Sequence, residues 1–431
     1  MAHTPSPPGL RFDEYVSRLA LALGHADRGD PLRAYVTGLL LPGERKSVEP
    51  MAAKVDPRHV SARHQSMHHF VAAAPWDEQR LLSVARDYAL EQLERHAPVG
   101  AWVIDDTGIP KKGRHSVGVA RQYCGALGKQ DNCQVAVTIS LANSTMSIPC
   151  AYRLYLPEVW VADRARCRHA GVPCAVAFAT KWEIALAEVD RLLGDDLPRA
   201  PVVIDAGYGD ATAFREGLTR RGFSYAVGIK GDTSVWPPGA EPLPPKRWSG
   251  RGRPPTRLRR SECHAPVSAH TLAVRLPARS WRTVRWREGT RGTMESRFAA
   301  ARVRPAPRDE NRTDPRAVEW LLIEWPHGEP DPTKYWFSTV PAHVSLEELV
   351  RLAKIRWRIE RDHEEMKGEL GLDHYEGRGW RGFHHHGVLC IAAYAFLAAE
   401  RGRLSSPEPL AFLRAPRLPA RFRPRGASVA S

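Results

Sequence analysis

Several features that would narrow a function at once are missing from these 431 residues. The seven cysteines, at positions 124, 133, 150, 167, 174, 263 and 390, include no C-x-x-C pair and are odd in number. A disulfide framework or structural zinc site is therefore not expected, and buried reduced thiols are. The opening MAHTPSPPGLRF has no apolar h-region, so it reads as no secretory signal. The longest apolar run, Val388 to Ala399, falls short of the ~20 residues that cross a bilayer. A Walker-type glycine loop is absent, which argues against ATP dependence. These absences lead to the expectation of a cytoplasmic protein with no membrane partner. No internal repeat is visible.

What is present is positive charge. Lys and Arg number 63 against 48 Asp and Glu, for a formal net charge of +15. That excess favours a polyanionic partner, because every phosphate contact releases condensed counterions. An arginine-rich protein that is merely soluble would show the same balance. At 43% hydrophobic and 26% charged, the composition is that of a globular chain long enough for two or three cores.

The chain changes character along its length. Residues 1–98 carry helical patterns, Phe12 to Leu23 and Glu78 to Leu93, around a basic segment with several histidines. They read as a separate all-helical domain suited to DNA binding or dimerisation. From residue 99 to 230 the pattern is α/β. Ala101-Trp102-Val103-Ile104 predicts a buried strand ending in Asp105-Asp106-Thr107, and Cys133–Leu141 and Ile148–Leu156 predict two more. Pro201-Val202-Val203-Ile204 ends in Asp205. A β-β-β-α-β-α-β order suggests a mixed sheet covered by helices. Residues 231–333, rich in Pro, Arg and Trp, read as a β-rich insertion with strand-like pieces at Thr271–Leu276 and Ser296–Val303. The α/β pattern returns over 334–402, with a long helix from about Ser345 to Leu370 and an apolar one from Val388 to Glu400. Residues 403–431 read as a disordered Pro/Arg-rich tail.

An aspartate at a strand end is ordinarily a loop or cap residue. The helix after Ser345 raises its interest. At ~100° per residue, Leu352, Ile355, Ile359, Met366 and Leu370 share an apolar stripe, while Arg351, Lys354, Arg358, Arg361, Glu365 and Glu369 point to solvent. Beside the apolar stripe lie Ala353, Arg356, Glu360, Glu364 and Lys367. Three carboxylates can hold two Mg²⁺ ions roughly 3.5–4 Å apart for phosphodiester chemistry, with Arg356 and Lys367 positioning phosphates. A face laced with i,i+4 ion pairs is the plainer alternative.

Ala353-x2-Arg356-x3-Glu360-x6-Lys367 resembles the Y-x2-R-x3-E-x6-K signature of one branch of the DDE insertion-sequence transposases. Ile355-Arg356-Trp357-Arg358-Ile359-Glu360 and Leu370-Gly371-Leu372-Asp373 strengthen the likeness, which covers about residues 100–400. The family tyrosine is Ala353 here. The resemblance implies an RNase H-like mixed sheet with flanking helices, interrupted by the β-rich insertion. It also implies that Asp106, Asp205 and Glu360 are catalytic and bind two Mg²⁺ ions, with Mn²⁺ a substitute. Cleavage of transposon ends in double-stranded DNA and 3′-hydroxyl strand transfer would follow, carried out by a nucleoid-associated homodimer or larger assembly. A nuclease that cuts without joining and a non-catalytic DNA-binding regulator are the alternatives. Neighbouring strand residues point to opposite faces, so only one of Asp105 and Asp106 can face the metals; the alignment favours Asp106.

Further DNA contacts are expected at Lys111 and Lys112, in a loop after the first acids, and at Arg251 and Arg253 in an Arg-Gly-Arg-Pro arm of the minor-groove-binding kind. Trp336 resembles a tryptophan that stacks on an extruded base, although a strand tryptophan is more often core. His384-His385-His386 cannot chelate from one helix face and is expected to be polar or close to DNA.

Overall fold

The computed structural model describes residues 7–289 and 292–404; most of the Pro/Arg-rich tail lies outside them. Five helices come first: α1 (Pro8–Ala22), α2 (Gly29–Leu40), α3 (Val48–Val55), α4 (Val60–Ala72) and α5 (Glu78–His96). The sheet opens with β1 (Ala101–Pro110), β2 (Ala120–Cys124), β3 (Lys129–Ala142) and β4 (Ser147–Leu154). Three helices follow, α6 (Glu158–Val161), α7 (Arg164–His169) and α8 (Lys181–Leu193). Next come β5 (Val202–Ile204), α9 (Ala206–Gly209), α10 (Thr212–Arg220) and β6 (Tyr225–Ile229).

β1 lies antiparallel to β3 with Ala101 opposite Ala142, and parallel to β5 with Val103 beside Val203. β5 runs parallel to β6. This is the mixed α/β sheet expected from the sequence. The edge strand β2 was not foreseen, because ARQYC carries no clean alternation of apolar and polar residues.

The region after β6 extends the same sheet. Its elements are β7 (Ser234–Trp236), β8 (Val267–Ser268), α11 (Ala269–Arg275), β9 (Arg282–Gly289), β10 (Gly292–Pro305), β11 (Glu319–Trp325) and β12 (Lys334–Ser338). The path runs β2-β3-β1-β5-β6-β12-β11-β10-β7-β8, with β4 on β3 and β9 on β10. Thr271–Leu276, expected as β-like, lies mostly in α11. Ser268 caps that helix by accepting the Thr271 N–H, and this local bond decides between two readings of a short apolar run.

The remaining helices are α12 (Leu346–Lys354), α13 (Trp357–Gly368) and α14 (Trp380–Leu404). Ser345 and Glu348 form the capping box that starts α12. The single helix expected from Ser345 to Leu370 is broken at Ile355–Arg356. There Ile355 N–H donates to Leu352 O (3.2 Å) and Arg358 N–H to Ile355 O (3.0 Å), a tightened turn within an otherwise helical path. α13 ends before Gly371 (φ +67°), where a Cβ would collide with Lys46.

α14 starts eight residues earlier than expected and is long and apolar enough to cross a membrane, yet it is 94% buried within the fold. Its partners are α5, α2, α4 and β4. The helical segment at the start of the chain shares one continuous core with the sheet and α14. Tyr15 hydroxyl, for instance, donates to Ala392 O at 2.7 Å.

Candidate active site

β1 sorts its side chains by face. Ala101 and Val103 join Val203, Ile355 and Ile359 beneath α12 and α13, whereas Trp102 and Ile104 face the large core. The pleat carries this alternation into the acids. Asp105 lies on the α13 side, 9% exposed, and accepts a hydrogen bond from Arg356 Nη1 at 2.8 Å. Asp106 turns the other way and pairs with Lys181, the first residue of α8. Arg356 also pairs with Glu360, so one guanidinium bridges an acid of β1 and the acid of α13.

Asp205 follows β5 directly, at the head of the one-turn helix α9. Two glycines let this turn lie flat on β6: a Cβ on Gly228 would sit 2.7 Å from Ala206 N, and one on Gly209 would strike Gly228 O. Asp205 Oδ1 is buried without a hydrogen-bond partner.

The electrostatics reflect burial first and crowding of like charges second. Burial is the main force pushing the Asp105 carboxyl up to about 7; Arg356 opposes it, and Asp205 and Asp106 add to it. Burial likewise raises Asp205, against Arg356 and with Asp106. The hydroxyl of Tyr208 is held well above its ordinary value by burial and by all three aspartates. Asp105 and Glu360 therefore pair with Arg356, with Asp205 and Asp106 within its electrostatic reach. Among the described residues no three His, Cys, Asp or Glu side chains form a ready cage for a metal ion. Cations stand among the acids in its place. Hard carboxylate oxygens, one of them unpartnered, are the donors a divalent ion such as Mg²⁺ takes, so the set fits once Arg356 and Lys181 yield.

Asp205 and Glu360, but not Asp105 or Asp106, open on a cleft of about 700 Å³ that Lys230, Arg287, Lys334, Trp336, Arg356 and Trp357 also line. Cations outnumber acids there, as suits a polyanion. Lys367 is tied to β1, with Nζ donating to Gly108 O at 2.9 Å. Trp336 lines the cleft but is 8% exposed and belongs to a hydrophobic cluster with Phe298 and Leu322, so most of its ring is core. Lys111 Nζ donates to Tyr375 O (2.6 Å), while Lys112 is exposed nearby. Arg251 and Arg253 are exposed and are not part of the cleft lining.

Three expectations need correction. Lys354 does not point to solvent; it forms a nearly buried pair with Glu324 among Trp286, Phe298 and Trp336. Arg358 is also drawn inward, donating to Thr145 O at 2.8 Å. The three histidines do not lie on the surface but are fully buried: His384 Nε2 accepts from Leu154 N–H, His385 stacks on Trp76 at 3.6 Å, and His386 bonds Tyr35 hydroxyl at 2.9 Å. Lys181, Tyr208 and Arg287 were missed. A lysine opening a helix and an arginine in a strand carry no periodic signal of their own.

Two acids within β1, one directly after β5 and one on a crossing helix are groups suited to phosphodiester chemistry. A profile described as DDE superfamily endonuclease matches residues 18–293, and the chain belongs to that superfamily. The match takes in Asp105, Asp106 and Asp205 and stops before Glu360. A relative from Microchaete diplosiphon, named "Probable transposase for insertion sequence element IS701", is 27% identical over 235 residues. The matched stretch is 54% of this chain and 57% of that protein's length.

Proposed function

We propose that the chain is the transposase of an insertion sequence, which binds the ends of a mobile element in double-stranded DNA, cuts there and joins the freed 3′-hydroxyl to target DNA. The observation that carries the reading is the bridge from Asp105 through Arg356 to Glu360 beside the unpartnered oxygen of Asp205. Membership of the DDE superfamily and the name of the relative support it.

Asp205, Glu360 and one acid of the Asp105–Asp106 pair would hold two Mg²⁺ ions, with Mn²⁺ as substitute. Bound there, the metal supplies activation of the attacking oxygen and charge compensation at the leaving one. Before loading, Arg356 and Lys181 neutralise the acids. Arg356, freed from Asp105 and Glu360, would offer its planar fork to a DNA phosphate, which it can grip with two hydrogen bonds. Lys367 places a second positive charge at the far end of β1, and Trp336 forms an aromatic wall for the strand. Arg251 and Arg253 hold backbone phosphates farther out. Joining two ends calls for two copies of the chain.

The test is incubation of the purified chain with a duplex bearing its own element's termini and Mg²⁺, beside Glu360→Gln. Free 3′-hydroxyl ends and a joined product are expected from the unaltered chain, and neither from the variant. Equal cutting by the variant would remove Glu360 from the site. Cutting without joining would reduce the protein to a nuclease.

A further inference from the structure

A separate cleft of about 400 Å³ lies at the other end of β6 from the acids. The active cleft is lined by Gly228 and Ile229, this one by Tyr225. Tyr225 and Ile229 stand about 13 Å apart along an extended strand. The walls come from α10, the starts of β6 and β11, and the segment that joins β10 to β11. A volume of this size falls in the roughly 300–1,000 Å³ range of small-molecule pockets.

The cleft holds more positive charge than it compensates. Arg215, Arg220, Arg312 and Arg316 line it, against Glu216 and Glu319. Arg312 Nη1 (2.9 Å) and Arg316 Nη1 (2.8 Å) both donate to the same oxygen, Oε1, of Glu216. Burial first, then the neighbouring Arg312 and Arg215, lower the Arg316 guanidinium, which Glu216 offsets only in part. Arg316 Nε is buried and has no hydrogen-bond partner among the described residues. Glu319 has the opposite need. It is 8% exposed, and its Oε2 is also buried without a partner. Buried polar atoms are nearly always paired, so a donor and an acceptor left over beside one cleft point to a ligand that carries both. Tyr225, Pro305 and Ala317 supply apolar lining against which a flat ring can pack.

We infer that this cleft binds a small phosphorylated molecule that also carries an amino group, of the kind and size of a nucleoside monophosphate. The phosphate is held by Arg220, Arg312 and Arg316, whose planar forks match its oxygens. The amino group donates to Glu319, an acceptor-only side chain when ionised. A carboxylate without that donor repels a bare anion, so inorganic phosphate is a poor ligand. The site lies outside the transposase reading and asks nothing of it.

The experiment titrates the full chain, in EDTA, with AMP, CMP, GMP, UMP and inorganic phosphate by calorimetry. At least one of AMP, CMP and GMP, which carry an amino group, should bind about tenfold or more tightly than both UMP and inorganic phosphate, as a hydrogen bond to a charged acceptor allows. Glu319→Gln should cut that preference to below about threefold, since a neutral acceptor bonds more weakly. Arg312→Ala/Arg316→Ala should weaken every phosphate ligand at least about tenfold. Arg220 is exposed, so Arg220→Ala leaves the core intact and should still weaken binding about threefold. Lys230→Ala/Lys334→Ala, in the active cleft, should titrate like the unaltered chain. No nucleotide binding, UMP or inorganic phosphate bound as tightly as the amino-bearing nucleotides, full affinity in Arg220→Ala, or loss of binding in Lys230→Ala/Lys334→Ala would each overturn the site. No DNA cleavage is read, so this site and the transposase reading fail separately.

Discussion

Two carboxylates of this fold, the enclosed Asp362 and the half-buried Asp205, live under opposite rules. Asp362, on α13, is wholly enclosed and accepts hydrogen bonds from Ser140 Oγ (3.0 Å), Tyr394 hydroxyl (2.8 Å) and Ser147 Oγ. Burial lifts it to about 6 while the three hydroxyls hold it down. Asp205, across the cleft from the same helix, has an oxygen with no partner and other aspartates for company. A buried polar group normally finds its hydrogen bonds, and one that does not marks a place kept for something else. Asp362 fastens the helix to the sheet, whereas the unpartnered oxygen of Asp205 suits the cation of the proposed reading.

The largest test of that contrast is Asp205→Asn. Cleavage of DNA should drop about 1,000-fold, since a metal ligand supplies several kcal/mol and each 1.36 kcal/mol is tenfold. Thermal stability in EDTA should hold or rise, because the change relieves a crowded charge. A clear loss of stability instead would make Asp205 a structural residue. Asp362→Ala should behave in reverse, costing about 3 kcal/mol in urea unfolding by stranding three hydroxyls. An unaltered midpoint would show that its network contributes nothing.

The buried histidines extend the comparison to pH. Burial lowers His384 to about 3 and His385 and His386 to about 4, so the folded chain keeps them neutral. Unfolded, they bind protons below their ordinary value of 6.5. Their stabilisation is therefore complete above pH 6.5 and drains away as pH falls towards 4. At pH 5 the loss should be on the order of 2 kcal/mol per histidine. Unfolding of His386→Gln should depend less on pH over that window than unfolding of the unaltered chain; identical pH profiles would contradict the assignment. The smallest effect is expected at Lys181→Ala. Its pair with Asp106 is partly exposed, so stability should change by less than about 1 kcal/mol while cleavage falls a few-fold. A large stability loss would mean that the pair is a strut and no part of the site.

The order of strands was legible because Trp102 to Ile104 and Val202 to Ile204 are short apolar runs ending in polar residues. The pairing of Glu360 with Arg356 was legible from their i,i+4 spacing. The faces of α12 and α13 were read less well. The break at Ile355–Arg356 has no glycine or proline to announce it, and so Lys354 and Arg358 were placed in water when Glu324 and Thr145 O draw them in. His384 to His386 misled because each finds a different partner from a different part of the chain, which no local pattern encodes.

By itself the sequence determined the alternation of elements, the acid that follows β5, the cation spacing around Glu360 and the excess of positive charge, since each is set by residues near one another in the chain; the expected strand end at Asp105-Asp106 is not found, because β1 runs on to Pro110. Only the tertiary structure decided that Asp105 rather than Asp106 faces Arg356, that Lys181 answers Asp106, and that Asp205 keeps an oxygen unpartnered. The pleat of β1 and the crossing of α13 set these pairings. They depend on angles between elements far apart in the chain, and such angles come into being only when the core closes.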